Sequence, residues 1–235
     1  TYSGQTSVTG GTLRFANTEA EGSSSSFSLD NGTVSFAGST DTSGSLVLGS
    51  NGGVLDVDVD QTLLFSGVIS GTGAFTKTGG GKLSLSGANT YTGPTTINNG
   101  ALLVSGSLSD ETAVSIGDPG TYEVGADDTV GSIAGSGAIN LGSSTLSIGR
   151  DNSSTEFSGV VSGTGALTKQ GTGTLILSGA NSYSGATTIN DGALSIGGSL
   201  SDGTAVNVGA SGKYEVGADD TVGSIAGSGA INLGS

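Results

Sequence analysis

Short runs in which apolar and polar residues alternate recur along the chain, each introduced by a small residue. The runs are GTLRF at 11, GTVSF at 32, GVLDV at 53, GALLV at 100, GTYEV at 120, GALSI at 192 and GKYEV at 212, with GAFTK at 73, STLSI at 144 and GALTK at 165 as variants. Such alternation places Leu13 with Phe15, and Val34 with Phe36, on the same side of an extended segment. The pattern therefore predicts many short β-strands, each with one apolar face.

The spacing of these runs predicts how the strands assemble. Successive runs begin 20 to 27 residues apart, and the segments between them are rich in the turn formers Gly, Ser, Asn and Asp. No window shows the apolar spacing of an amphipathic helix. One unit of two or three strands cannot bury its apolar face alone, whereas a stack of such units can. We predict an all-β parallel β-helix, or β-solenoid, of about ten coils stacked about 4.8 Å apart. A β-propeller is the weaker alternative, because its blades repeat without a shorter sub-period.

A longer repeat is superimposed on the short one. Residues 66–143 align with residues 158–235 without a gap at an offset of 92, and 59 of the 78 aligned pairs are identical. The run spacing predicts four coils in each 92-residue repeat. We expect N-terminal coils over 1–65, a first repeat over 66–157 and a second, truncated repeat over 158–235, all in one continuous solenoid. The pattern is interrupted at the last residue, so we interpret the chain as a piece of a longer protein.

Composition narrows the possible partners. Asp and Glu number 20 against 6 Lys and Arg, which gives a formal charge of −14. Phosphate backbones and anionic lipids repel such a chain, so we expect no nucleic-acid partner. Cys and His are absent, as are Met and Trp. The chain therefore has no disulfide framework and no thiolate or imidazole metal ligands, and we predict no cofactor.

Two segments carry a family resemblance. Residues 73–104 read GAFTKTGGGKLSLSGANTYTGPTTINNGALLV, and residues 165–196 read GALTKQGTGTLILSGANSYSGATTINDGALSI. Both resemble the passenger-associated β-strand repeat of autotransporter proteins. The resemblance implies a right-handed parallel β-helix that is exported across the bacterial outer membrane and displayed at the cell surface or secreted. It also implies a parent protein with flanking coils and a C-terminal membrane barrel. Nothing in the first 60 residues matches as closely.

Candidate catalytic and metal-binding residues are sparse. Without His or Cys the common nucleophile–base pairs are impossible. A carboxylate site acting on polysaccharide would rest on fold analogy alone. Asp56, Asp58 and Asp60 alternate with valines, and on a strand their spacing of about 6.8 Å is too wide to share one Ca²⁺ easily. We therefore predict no catalytic residue and no metal site, and interpret these aspartates as a solvated acidic stripe.

Other repeated polar residues have structural interpretations. Lys77 and Lys169 occupy positions that are apolar in other runs, which favours either a buried stem with the ammonium in solvent or a bend in the coil. The residues predicted to make or cap turns, or to pack in loops, are Asn89, Asn98, Asn181 and Asn190, the pairs Asp127–Asp128 and Asp219–Asp220, and Tyr91 and Tyr183.

Three functions follow in order of preference. The first is a non-catalytic structural stalk or adhesin segment. The second is a module that binds side-on to a glycan, a host protein or a neighbouring copy. The third is an enzyme acting on polysaccharide.

Overall fold

The computed structural model describes residues 4–16, 26–217 and 220–234, and these residues form β-strands and turns without a helix. No segment of this part is therefore a helix that could cross a membrane. The strands of the first half are β1 Thr6–Val8, β2 Thr12–Phe15, β3 Phe27–Leu29, β4 Gly32–Phe36, β5 Thr40–Thr42, β6 Leu46–Leu48, β7 Gly53–Val57, β8 Thr62–Phe65, β9 Ile69–Gly71, β10 Phe75–Thr78, β11 Lys82–Leu85, β12 Thr95–Ile97, β13 Ala101–Val104 and β14 Ala113–Ile116. Those that follow are β15 Thr121–Val124, β16 Asp128–Val130, β17 Ser132–Gly135, β18 Ala138–Asn140, β19 Thr145–Ile148, β20 Thr155–Phe157, β21 Val160–Ser162, β22 Ala166–Lys169, β23 Thr174–Leu177, β24 Thr187–Ile196, β25 Ala205–Val216, β26 Ser224–Gly227 and β27 Ala230–Leu233.

The strands stack in parallel on three faces of a solenoid. The first face begins with β1, β3, β6 and β9, the second with β2, β4, β7, β10, β12, β14 and β17, and the third with β5, β8, β11, β13, β15, β18 and β21. The chain visits the three faces in this order in each coil, and strands such as β7, β10 and β11 pair in parallel with the strands one coil below and above them. The predicted parallel β-solenoid is confirmed, with about 11 coils instead of ten.

The core is a continuous column of inward-pointing side chains. On the third face Leu63, Leu83, Leu102, Tyr122 and Ile139 stack one above another, and each is fully buried. Burial of one such side chain stabilises the fold by roughly 1.5–3 kcal/mol. Because every coil covers the apolar side of the coil below, the stack supplies the burial that no single coil provides.

Glycine columns form the corners of the stack. A Cβ atom on Gly67 would lie 1.8 Å from the carbonyl oxygen of Gly44, and one on Gly87 would lie 2.3 Å from that of Gly67. No side chain fits at these distances, so the backbones of successive coils approach each other only because the corner residue is glycine. The Ser-Gly pairs at 43–44, 66–67 and 86–87 supply the glycines of this column.

The 92-residue repeat does not contain a whole number of coils. Ile69 lies on the first face. Backbone hydrogen bonds from Thr90 to Ile69 and from Gly131 to Thr112 extend this face to β16, which pairs with β19. β19 therefore lies on the first face four coils above Ile69. Val161, the equivalent of Ile69, lies two faces further along, in β21 on the third face. The repeat therefore advances four and two-thirds coils, and equivalent residues of the two repeats lie one-third of a turn apart around the axis.

The unequal spacing of the sequence runs has the same origin. The run at 73 forms β10 on the second face and the run at 100 forms β13 on the third face, so this 27-residue step covers one coil plus one face. The 24-residue step from 120 to 144 likewise moves from the third face to the first. The prediction of four coils per repeat is therefore too low by two-thirds of a coil. An alternating run in the sequence identifies a strand but does not show on which face of the solenoid the strand lies.

Candidate functional site

A polar network crosses the second face near its first coils. Arg14 Nη1 donates to Ser35 Oγ at 2.9 Å, and Ser35 Oγ donates to Asp56 Oδ2 at 2.8 Å. Thr78 Oγ1 donates to the other oxygen of Asp56 at 2.8 Å. Arg14 also pairs with Asp58, with nitrogen–oxygen distances of 2.6 and 3.2 Å. The network ties four successive coils together through outward-facing side chains.

This arrangement corrects the predicted acidic stripe. β7 ends at Val57, so Asp58 follows the strand and Asp60 lies in a turn with a φ of 63°. Only Asp56 belongs to the strand, and both Asp56 and Asp58 have side-chain partners. The alternation of valine and aspartate predicts a longer strand because it carries no information about where the corner falls.

Lys77 is fully buried, between Leu55 and Ile97 in the inward column of the second face. Its Nζ donates to the carbonyl oxygens of Thr78 at 2.5 Å, Gly79 at 2.8 Å and, one coil above, Asn99 at 3.3 Å. Burial lowers the pKa of Lys77 to about 8, and the charge of the nearby Asp56 opposes this decrease. The ammonium thus supplies three donors to carbonyl groups at the corner that follows the strand.

Lys169 repeats the arrangement 92 residues later. Its Nζ donates to the carbonyl oxygens of Gln170, Gly171 and Asp191, the last two at 2.7 and 3.4 Å. Burial lowers the pKa of Lys169, and the carboxylates of Asp191 and Asp151 oppose the change. Of the two interpretations drawn from the sequence, the one that places these ammonium groups in solvent is wrong, because both are enclosed by backbone carbonyls.

Asn89 caps the corner between the third and first faces. Its Oδ1 accepts the amide of Ile69 at 2.9 Å, and its Nδ2 donates to the carbonyl oxygens of Gly87 and Ser107 at 3.0 and 2.9 Å. Asn181 makes the equivalent bonds to Val161, Gly179 and Ser199. These two residues link neighbouring coils as the sequence predicts, whereas Asn98, just after β12, and Asn190, within β24, are exposed.

The repeated tyrosines belong to the core. Tyr91 and Tyr183 are fully buried, and their hydroxyls lie 2.5 Å from the hydroxyls of Thr95 and Thr187. Neither ring faces solvent, so neither presents a surface to a ligand.

Asp128 opens β16 and is buried, whereas the sequence predicts a turn residue. Its carboxylate oxygens each accept the amide of Leu108 at 3.3 Å, and Tyr122 donates its hydroxyl to Oδ2 at 3.1 Å. Burial raises the pKa of Asp128 to about 6. Asp220 accepts the amide of Leu200 in the same way, while Asp219 lies outside the described residues. Asp128 does the same structural task as Asn89, with an ionisable group.

A shallow open groove of about 340 Å³ lies beside Asp128. It is lined by Ser107, Asp110, Asp127, Asp128, Thr129, Thr145 and Ser147. Within the described ranges no three acidic side chains are grouped closely enough to hold a metal ion. Hydroxyl and carboxylate side chains line the groove, and its lining residues include no Lys or Arg.

Comparison with known proteins identifies the repeat. The family model described as the passenger-associated-transport-repeat matches residues 1–15, 75–104 and 167–196. The adhesin BmaC autotransporter of Brucella suis biovar 1 (strain 1330) is 40% identical over 182 residues. The match covers 71% of this chain but 5% of the relative's length. No solved structure matches significantly.

The match at residues 1–15 is one that sequence reasoning missed. TYSGQTSVTGGTLRF at 1–15 aligns with TYTGPTTINNGALLV at 90–104, including the Tyr-x-Gly-x-Thr spacing. The offset is 89 residues, so an alignment held at an offset of 92 passes over it. The family model therefore also reaches the first 15 residues, over a shorter match than the 30 residues it covers in each of the two repeats.

Proposed function

Because the chain is a repeat-bearing segment of an autotransporter passenger, we propose that it acts as a non-catalytic stalk within a surface-displayed, adhesin-type protein. The observation that carries the proposal is the uninterrupted parallel stack of about 11 coils around one buried column. Such a stack sets a fixed distance between its two ends, because each coil adds about 4.8 Å along the axis.

The surface chemistry supports a structural role. Lys77 and Lys169, the two most enclosed basic residues, are occupied by backbone carbonyls. The tyrosine hydroxyls of Tyr91 and Tyr183 are bonded within the core. Polar side chains that contact neighbouring coils, such as Asn89, stabilise the stack. A purely structural task requires these contacts and no reactive group.

Similarity to an autotransporter adhesin supports a location of this task at the bacterial surface. Passengers of the autotransporter type are exported across the outer membrane, and the Brucella relative is named an adhesin. The chain spans 5% of that relative's length, so adhesion by the parent protein, its flanking coils and its C-terminal membrane barrel are parts of the proposal. The proposed division into 1–65, 66–157 and 158–235 makes the middle segment an exchangeable spacer of about 22 Å.

The stalk is tested by measuring its length. Cysteines replacing Ser28 and Asn207, nine coils apart on the first face, should give a spin-label distance of about 43 Å in the full chain. Deletion of 66–157 joins Phe65 to Ser158 and preserves the local sequence of the corner. The deletion removes four and two-thirds coils, so the deleted chain should remain folded, with Asn207 about 21 Å from Ser28 along the axis and on the neighbouring face. An unchanged distance, or loss of β-structure, contradicts the proposal.

A binding assay separates the stalk from the second candidate, a side-on binding module. Beads coated with the full 235-residue chain should adhere to epithelial cells and to immobilised glycans no better than beads coated with the 66–157 deletion variant. Adhesion that scales with the number of repeats would favour the binding module, which the name of the Brucella relative supports.

A further inference from the structure

An exposed turn joins the end of β12 to the start of β13. It contains Asn99 followed by Gly100, whose φ is 64°. The amide nitrogen of Gly100 donates to Oδ1 of Asn99 at 2.7 Å. Since a carbonyl bond measures about 1.2 Å, the Gly100 nitrogen lies within about 4 Å of the Asn99 Cγ carbon. The backbone thus holds the nitrogen of one residue close to the side-chain carbonyl of the residue before it.

This geometry suits an intramolecular reaction. We propose that Asn99 is a site of spontaneous deamidation, built into the turn that precedes β13. The Gly100 nitrogen loses its proton and bonds to Cγ of Asn99, and the side-chain amide leaves as ammonia, giving a five-membered succinimide. Water then opens the ring to aspartate or isoaspartate, so the net change is addition of water and loss of ammonia. Because the turn holds the Gly100 nitrogen close to Cγ of Asn99, little conformational entropy is lost when the two atoms react, and the reaction is faster.

The second repeat shows that the product fits. Asp191 is the equivalent of Asn99, one of 19 differences among the 78 aligned pairs. It accepts the amide of Gly192 at 2.8 Å, and Gly192 has the same φ of 64°. The aspartate form of Asn99 therefore adopts the turn without rearrangement. It also places a carboxylate beside the Lys77 ammonium, as Asp191 does beside Lys169.

The chain contains a matched control. Asn51 is also exposed and is followed by Gly52, whose φ is 74°. Here the glycine amide donates to the carbonyl oxygen of Gly49 at 2.9 Å. Attack on the Asn51 side chain requires that bond to open first, whereas the Gly100 amide already faces its own asparagine. These two of the chain's three Asn-Gly pairs, the third being Asn31–Gly32, share sequence and exposure and differ in the acceptor of the glycine amide.

The experiment follows both sites by peptide mass spectrometry during incubation of the full chain at pH 8, where loss of the amide proton is favoured. Deamidation raises the mass of a peptide by about 1 Da, because an amide becomes a carboxyl. In the folded chain Asn99 should convert roughly tenfold faster than Asn51. In urea the two rates should converge. Asn99→Asp provides the mass and retention standard, and its β-structure should match that of the unaltered chain.

The outcomes distinguish an effect of the folded turn on the deamidation rate from the intrinsic reactivity of an Asn-Gly sequence. Faster conversion at Asn99 only in the folded chain supports the proposal. Equal rates at both sites in the folded chain overturn it, as does a rate at Asn99 that rises when the chain unfolds. Collapse of the Asn99→Asp variant would also count against it, because Asp191 holds the same position in the second repeat.

Discussion

Asp128 offers the sharpest test of how the stack tolerates a buried charge. Its carboxylate is 6% exposed and accepts the Leu108 amide and the Tyr122 hydroxyl. Burial raises the pKa of Asp128 from 3.8 to about 6, against the opposing effect of these donors. Asn89 makes the same kind of bond to the coil below with a neutral amide. Replacement of Asp128 by Asn should therefore keep the bond and remove the buried charge.

The sign and size of the effect follow from the pKa. A raised pKa means that the folded chain holds the proton more tightly than the unfolded chain. The stability that Asp128 contributes is full below pH 3.8 and is lost as the pH rises through about 6. The rise from 3.8 to about 6 corresponds to about 3 kcal/mol. The Asp128→Asn chain should therefore unfold at higher urea concentration than the unaltered chain at pH 7.5, and at nearly the same concentration at pH 3.5.

Urea titrations monitored by far-ultraviolet circular dichroism, in steps from pH 3.5 to 7.5, measure this difference directly. Asp220→Asn is the matched control, since Asp220 bonds to Leu200 as Asp128 bonds to Leu108 but is less buried. Its gain at pH 7.5 should be smaller. A loss of stability in Asp128→Asn at pH 7.5 would refute the reasoning, because the hydrogen bonds to the charge would then outweigh the cost of burying it.

Three further predictions, made with five substitutions, test the packing. Lys77→Met should cost about 2 kcal/mol in urea unfolding, because it leaves corner carbonyls without their donor; an unchanged midpoint would show that the ammonium is dispensable. Gly67→Ala should cost at least about 2 kcal/mol, since its Cβ would overlap a carbonyl oxygen, whereas Gly203→Ala meets nothing within 4 Å and should be neutral by thermal unfolding. Tyr214→Phe should be neutral, because that buried hydroxyl has no partner, whereas Tyr183→Phe should cost about 1 kcal/mol; equal losses would contradict the assignment.

The strands and their stacking were accessible from the sequence because they depend on local alternation. Val34 with Phe36, and Leu102 with Val104, point inward as a period of two requires. The parallel stack follows because each such strand has a single apolar face. What alternation does not encode is the face that each strand occupies, so the advance of four and two-thirds coils per repeat emerges only from the pairing between coils.

The polar residues were harder to predict because their partners are distant in sequence. The Lys77 ammonium donates to the backbone carbonyl of Asn99, 22 residues away in the sequence. The residues next to Lys77 in the sequence do not show whether its ammonium is surrounded by carbonyl groups or by water. Asp128 looks like a turn former in sequence, yet the coil below supplies the amide that draws it inside. Asn89 was predictable because an amide at a repeated corner has few alternatives to bonding neighbouring turns.

The distribution of charge favours a spacer over a module that associates with its own copies through its sides. Every basic side chain is engaged: the exposed ones pair with carboxylates and the buried ones bond to carbonyls. The pairs are Arg14–Asp58, Lys82–Glu123, Arg150 with Asp110 and Glu111, and Lys213–Glu215, with Lys77 and Lys169 enclosed. The net charge of −14 is therefore carried by carboxylates. Equivalent residues of the two repeats lie one-third of a turn apart around the axis, so equivalent acids such as Asp110 and Asp202 lie on different faces. Two solenoids that approach each other from different sides therefore both present negative charge. In contact, these charges repel within the Debye length of about 8 Å at physiological salt.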